Sequence, residues 1–145
     1  MKVLNEMKLT VEGRSCNESF ARSAVSSFLA VLDPNMEEIS DIKTAVSEAV
    51  TNCIVHGYRE KIGLIYIHVR IFEGDRVSIS IRDKGCGIPD VKKAMEPLFT
   101  TSESGERAGL GFSIMGSFMD KLRVRSRVGK GTTVTLEKII VSKGI

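Results

Sequence analysis

Apolar residues alternate with polar ones at Met7, Leu9 and Val11, the period of a strand with one face turned inward. The pattern then changes. Ser15 followed three residues later by Glu18 has the form of a capping box, which predicts a first helix over about residues 16 to 31, stopped by Asp33-Pro34. Ile39, Ile42, Val46, Ala49, Val50 and Cys53 recur at helical spacing, predicting a second helix over about residues 36 to 56 that Gly57 terminates. Strict alternation returns in "LIYIHVRIF" and "RVSISIR", which put Ile65, Ile67, Val69 and Ile71, then Val77, Ile79 and Ile81, on one face each of a hairpin turning at "EGD". A Gly- and Pro-containing stretch at 83 to 108 leads into a short helix over "LGFSIMGSFM", and "LRVRS" and "TTVTLEK" flank the turn "VGKG" as a last hairpin. Strands with one apolar face need a single covering layer of helices. The expected fold is therefore α+β, a two-layer sandwich of a mixed or antiparallel sheet under one helical layer.

Composition narrows the function classes. At 145 residues and 42% hydrophobic, the chain is expected to form one domain over residues 1 to 145. A net charge of +3, with basic and acidic residues interspersed, is too mild for a dedicated nucleic-acid surface. No apolar run approaches the roughly eighteen residues that span a bilayer, and "MKVLNEMKLTVEG" lacks a secretory apolar core, so no membrane contact and a cytoplasmic location are expected. Cys16, Cys53 and Cys86 are odd in number and far apart, which suits reduced thiols better than a disulfide framework or a metal pair.

Three short stretches carry candidate chemistry. In "SEAVTNCIVHG", Glu48, Asn52 and His56 recur every four residues and form one polar stripe beside the apolar face of the second helix. Alone, such a stripe reads more readily as a solvated edge than as a site. "DKGCGIP" follows a strand with Asp83 and two glycines, Gly85 and Gly87, which allow close backbone approach. "GERAGLGFSIMG" sets Gly105, Gly109 and Gly111 before or at the opening of a helix, where free N–H groups and the helix dipole attract phosphate oxygens. This is no P-loop, since no Lys-Ser/Thr pair follows at the required spacing. It is no dinucleotide fingerprint either, since the third glycine and the leading strand are missing.

Taken in order, "EAVTNCIVHG", "DKGCGIP", "GERAGLGFS" and the late "GKGTTV" resemble the conserved boxes of the GHKL superfamily of ATP-binding proteins, over about residues 36 to 136. The opening "NEMKLTVEGRSCNESFARSAVSSFLAVLDPNMEEI" and the "PLFTTS" before the glycine-rich stretch are similar to the bacterial anti-sigma factor serine kinases, nearest to their sporulation type. That resemblance implies sequestration of a sporulation sigma factor of RNA polymerase and ATP-dependent phosphorylation of a serine on a small anti-anti-sigma protein. The cofactors implied are ATP or ADP and Mg²⁺, and the chain is expected to act as a homodimer without touching nucleic acid directly. A general-stress anti-sigma kinase, or a regulator that binds ATP only as a structural ligand, are the competing functions.

The resemblance further implies residue roles. Asp83 would accept from the adenine amino group, with Gly85 and Gly87 shaping the pocket floor and Thr132 from the Gly-Thr pair also on the nucleotide. Asn52 would ligate Mg²⁺ as an oxygen donor, and Glu48 would act as general base or orienter for the attacking hydroxyl. Gly105, Gly109 and Gly111 would receive phosphates, beneath a lid over about Thr100 to Ala108. Arg107 either neutralises charge on the transferred phosphoryl group or is simply a solvated lid charge. Arg22 is the implied partner-binding residue. His56 is open between capping, packing and phosphate contact, Cys86 has no evident chemical need, and the outward strip Arg123, Arg125 and Arg127 is open between a solvated face and a partner surface.

Overall fold

The computed structural model describes residues 1–96 and 106–141, with backbone alone for 106–110. A long strand β1 (Val3–Glu12) is followed by α1 (Cys16–Leu29), which runs on into a 3₁₀ turn at Ala30–Leu32. Helix α2 (Met36–Asn52) continues as a π turn over Cys53–Tyr58. The hairpin β2 (Leu64–Phe72) and β3 (Arg76–Asp83) comes next, then a one-turn helix α3 (Val91–Ala94), α4 (Glu106–Phe118), and the hairpin β4 (Lys121–Arg127) and β5 (Gly131–Ile139).

All strand pairs are antiparallel, in the order β1-β2-β3-β5-β4, so the sheet is antiparallel throughout and the expected α+β two-layer arrangement is observed. The alternation in β2 and β3 turns Ile65, Ile67, Val69, Val77, Ile79 and Ile81 inward, where they are buried beneath Val25 and Leu29 of α1, Ile42, Val46 and Val50 of α2, and Met115 of α4. Each fully buried Ile or Leu contributes about 1.5–3 kcal/mol relative to exposure. This apolar contact holds α2 against the sheet and fixes the rotation that sets its polar edge.

Three local expectations are corrected. Ser15 has helical backbone angles and its side chain makes no cap hydrogen bond; the corner is instead tied by Asn17 Nδ2, which donates to the Glu12 carbonyl at 2.8 Å. A capping box does form one helix later, where Asn35 Oδ1 accepts from Glu38 N at 2.8 Å and Glu38 Oε1 accepts from Asn35 N at 3.0 Å. Glu38 Oε2 also accepts from Val141 N at 3.0 Å, tying the segment beyond β5 to the start of α2. Gly57 lies inside the π turn, and the positive-φ residue that ends it is Arg59 (φ 59°). The last helix begins at Glu106, earlier than predicted, so Arg107, Gly109 and Gly111 lie within it. Gly105 and most of the expected lid lie outside the described residues.

Candidate functional site

The site forms where the end of α2, the loop after β3 and the start of α4 meet. Glu48 and Asn52 share a face of the last α2 turns, held in place by their buried neighbours Ala49, Val50 and Cys53. Gly111 of α4 packs onto that face. A methyl group there would stand 3.2 Å from both terminal atoms of the Asn52 amide and 3.4 Å from Glu48 Oε1. Gly111 lies in the second turn of α4, past the free N–H groups of a helix start. It serves the site by being small. Asn52 Nδ2 is buried with no hydrogen-bond partner among the described residues. An orphaned buried amide costs about 1–3 kcal/mol, so this group calls for a partner beyond the described residues.

The second half of the site surrounds Asp83, whose side chain is 4% exposed at the end of β3. Its Oδ1 accepts from Gly85 N at 2.9 Å and from Thr132 N at 3.3 Å. Burial pushes the Asp83 carboxyl above its usual range, and the backbone donors and the Cys53 thiol counter that shift only in part. Burial, reinforced by the Asp83 charge, holds the Cys53 thiol well above its ordinary value, so it stays protonated. A buried carboxylate held by backbone donors and the Cys53 thiol still has lone pairs able to accept a further donor.

Side-chain-free backbone encloses this carboxylate. A Cβ on Gly57 would stand 2.7 Å from Asp83 Oδ2, and one on Gly85 would stand 2.1 Å from the Gly57 carbonyl oxygen. The π turn delivers that carbonyl to the loop, where it accepts from Cys86 N at 2.9 Å. Single π turns within α-helices occur frequently at functional sites. Gly87 has φ +79° and would place a Cβ 2.2 Å from the Arg127 carbonyl oxygen, while Gly131, at φ +120°, would place one 2.1 Å from the Asp83 carbonyl oxygen. The hairpin closes the loop from the other side: Gly129 N donates to the Cys86 carbonyl at 2.8 Å and Ile88 N to Ser126 Oγ at 2.7 Å. Ser126 Oγ in turn lies 2.7 Å from Thr132 Oγ1.

The geometry therefore joins Glu48, Asn52 and Gly111 in one group and Asp83, Gly85, Gly87 and Thr132 in another. Thr132 braces Asp83 through its backbone N–H. Cys86 has a structural account: its thiol donates to the His56 carbonyl at 3.2 Å, and its backbone bridges the π turn and the β4–β5 hairpin. Gly57, Cys53, Tyr58 and Gly131 belong to the site and escaped the sequence reading. Tyr58 Oη accepts from Lys84 N at 2.7 Å and donates to the Leu64 carbonyl. The sequence signal for Gly57 was present, as a glycine one turn past Cys53, but it was read as a helix stop.

Arg22 lies across α1 from this edge. It pairs with Glu18 at 3.5 Å and donates to Ser47 Oγ at 3.4 Å, and Ser47 donates to the same Glu18 carboxylate. Arg22, Ser47 and Glu48 line one groove of about 580 Å³ that extends along α2 to Asn35 and Met36. An open channel thus runs from the helix-pair surface to Glu48. The side chain of Arg107 lies outside the described side chains. No cluster of three or more His, Cys, Asp or Glu suited to hold a metal occurs among the described residues, nor any helix long and apolar enough to cross a membrane.

The profile of the Histidine kinase-like ATPase domain matches residues 16–138. Over 142 residues the chain is 56% identical to the Anti-sigma F factor of Thermoanaerobacter sp. (strain X514), covering 98% of this chain and 99% of that protein. It is 54% identical over 137 residues to the Anti-sigma F factor of Geobacillus kaustophilus, covering 94% of this chain and 93% of that one. A crystal structure of the RsbU and RsbW domains of a Mycobacterium tuberculosis protein superposes with a TM-score of 0.70 at 21% identity, covering 94% of this chain and 32% of that longer one, a likeness of fold.

Proposed function

Because the chain belongs to the Histidine kinase-like ATPase domain family and, within it, to the anti-sigma F factors, we propose that it sequesters a sporulation sigma factor and phosphorylates a serine of a small anti-anti-sigma protein, using ATP and Mg²⁺ and acting as a homodimer. The observation that carries the catalytic part is the meeting of Glu48, the buried Asn52 amide and Gly111, with Glu48 also lining an open groove. Bound ATP would supply the phosphoryl group, and Mg²⁺ would neutralise charge on the phosphates.

The residues present suit both. Asp83 has lone pairs that can accept from an exocyclic amine in a cradle that any Cβ would fill. The Asn52 amide, turned one way, donates to a phosphate oxygen; turned the other, it offers Mg²⁺ the hard oxygen that ion prefers, the remaining ligands coming from phosphate and water. Glu48 takes the proton of the incoming serine hydroxyl as its oxygen bonds to the terminal phosphorus and the bond to the ADP oxygen breaks. Arg107, Gly105 and Gly109 are assigned to the phosphates, and Arg22 to the docking of the protein partner along the groove. The presence of a carboxylate at 48 favours this reading over a regulator that binds ATP without transfer.

The test is a transfer assay with γ-labelled ATP, Mg²⁺ and a small anti-anti-sigma protein. Glu48→Gln should retain nucleotide and sigma binding while serine labelling falls by about 10²-fold or more. A fully active variant overturns the assignment of the base, and no labelling by the unsubstituted protein overturns the kinase.

A further inference from the structure

The sheet face turned away from the helices is as charged as the inner face is apolar. Strand register aligns its side chains in rows: Lys8, His68, Ser80, Thr135 and Arg123 form one row across all five strands. The row on one side brings Thr10, Tyr66, Arg82, Thr133 and Arg125 together, and the row on the other side carries Glu6, Arg70, Ser78, Glu137 and Lys121. The carboxylates on and beside this face have basic partners, and Glu6 also feels the charges of Lys8 and Arg70. Glu6 pairs with His68 at 2.6 Å, Glu12 with Arg14 at 2.7 Å and Glu137 with Arg76 at 3.6 Å. Lys8, Arg70, Arg82, Lys121, Arg123 and Arg125 enter no ion pair among the described residues. A chain whose net charge is only +3 concentrates Lys8, Arg82, Arg123 and Arg125 in two adjacent rows that hold no carboxylate, on one side of one sheet.

The surface is also shaped. A depression of about 440 Å³ lies over β1, β2, β3 and β5, with Lys8 and Arg82 at its walls and the hydroxyls of Thr10, Ser80 and Thr133 among its lining groups. With strands about 4.8 Å apart, the row from Lys8 to Arg123 spans about 19 Å, the length of roughly six extended residues. The aromatic groups decide which polyanion fits. The Tyr66 ring carries Arg82 at 4.8 Å and Lys84 at 5.0 Å from its centroid, and the Phe72 ring carries Arg70 at 5.3 Å. Both rings are engaged by the chain's own cations, so the face lacks the bare stacking platforms that single-stranded nucleic acid uses. What remains is a grid of guanidinium, ammonium and hydroxyl donors, the complement of carboxylates.

We propose that the outer sheet face is a docking surface for an acidic, Asp- and Glu-rich segment of a protein partner, separate from the groove that leads to Glu48. The segment lies across the strands, with its carboxylates on Arg82, Arg123, Arg125 and Lys8. Its binding is driven by charge and falls with salt.

The probe is a fluorescein-labelled Asp/Glu peptide of roughly twelve residues, titrated by anisotropy between about 50 and 300 mM salt, beside a single-stranded oligonucleotide and a phosphatidylglycerol vesicle. The peptide should bind the unsubstituted protein with an affinity that falls as salt rises. Combined Arg82→Ala, Arg123→Ala and Arg125→Ala should weaken it by about tenfold or more with an unchanged far-ultraviolet dichroism spectrum. If that triple variant does not fold, Arg123→Ala with Arg125→Ala, both outward-facing on the edge strand β4, carries the same expectation with a smaller loss. Absence of peptide binding, equal binding by the folded variant, or tighter binding of the oligonucleotide or the vesicle overturns the proposal.

Discussion

The two halves of the candidate site are built on opposite principles. Around Asp83 the polar groups already have internal partners, and glycines bring backbone against backbone, so the pocket keeps its shape without a ligand. At Glu48 and Asn52 an amide is left unpaired, and the nearest packing is between side-chain ends. The first half is held rigidly by its own backbone. The second half has a polar group without a partner among the described residues, which suits the proposed end of a pocket where groups are exchanged during reaction.

The contrast predicts unequal penalties for the same added methyl group. Gly85→Ala should have the largest effect, because the new Cβ meets the Gly57 carbonyl and neither backbone segment can yield cheaply. We expect a loss of about 1–3 kcal/mol of stability, with nucleotide affinity reduced as well, read by thermal melting and calorimetry. Equal stability and affinity would mean that the Asp83 half is not rigid.

Asp83→Asn should separate shape from recognition. The amide oxygen can still accept from Gly85 and Thr132, while the amide nitrogen replaces the free acceptor with a donor. Nucleotide binding should weaken by roughly 1–3 kcal/mol, measured calorimetrically. Stability without nucleotide should not fall with it. Burial raises the folded-state pKa of Asp83 above its unfolded value, so between those two values the folded form holds the extra proton, and ionisation of Asp83 lowers stability as pH rises through that window. Asparagine removes that term: at neutral pH the variant should melt no lower than the parent, and its advantage should shrink as pH falls below the folded-state value. A lower melting point at neutral pH would show that the carboxylate charge is needed by the fold itself.

The smallest effect is expected for Gly111→Ala. The added methyl sits 3.2–3.4 Å from the ends of Asn52 and Glu48, which can turn aside. Stability should change by less than about 1 kcal/mol, whereas the proposed phosphoryl transfer should fall because both displaced groups are assigned to its reacting end. If Gly111→Ala destabilises as much as Gly85→Ala, the distinction between a closed and an open half fails.

Much of the architecture could be read from periodicity. The alternation in β2 and β3 and the helical spacing from Ile39 to Cys53 each reflect one buried face, and burial is what both the sequence pattern and the fold obey. Features fixed by single local contacts were less legible. The Ser15 and Asn35 corners carry the same cap spacing, yet only Asn35 forms the box, because Asn17 and the Glu12 carbonyl settle the first corner differently. The one-turn α3 is too short to show a period. In the site, the grouping of Glu48 with Asn52 followed from four-residue spacing alone. The clamp of Gly85 on Gly57 did not, because it joins residues 28 positions apart through a turn of unusual pitch.

That turn sets a phase. Each residue of an α-helix advances the chain by about 100°, so a helix that takes in one more residue per turn delivers everything beyond it at a different angle. Glu48 and Asn52 are placed before the change and the Gly57 carbonyl after it, and the two halves of the site stay in step only while the number of residues between them is held. Over this segment the chain behaves like a vernier. Exchange of an outward-facing side chain leaves its setting alone, whereas gain or loss of a single residue between Asn52 and Gly57 resets it.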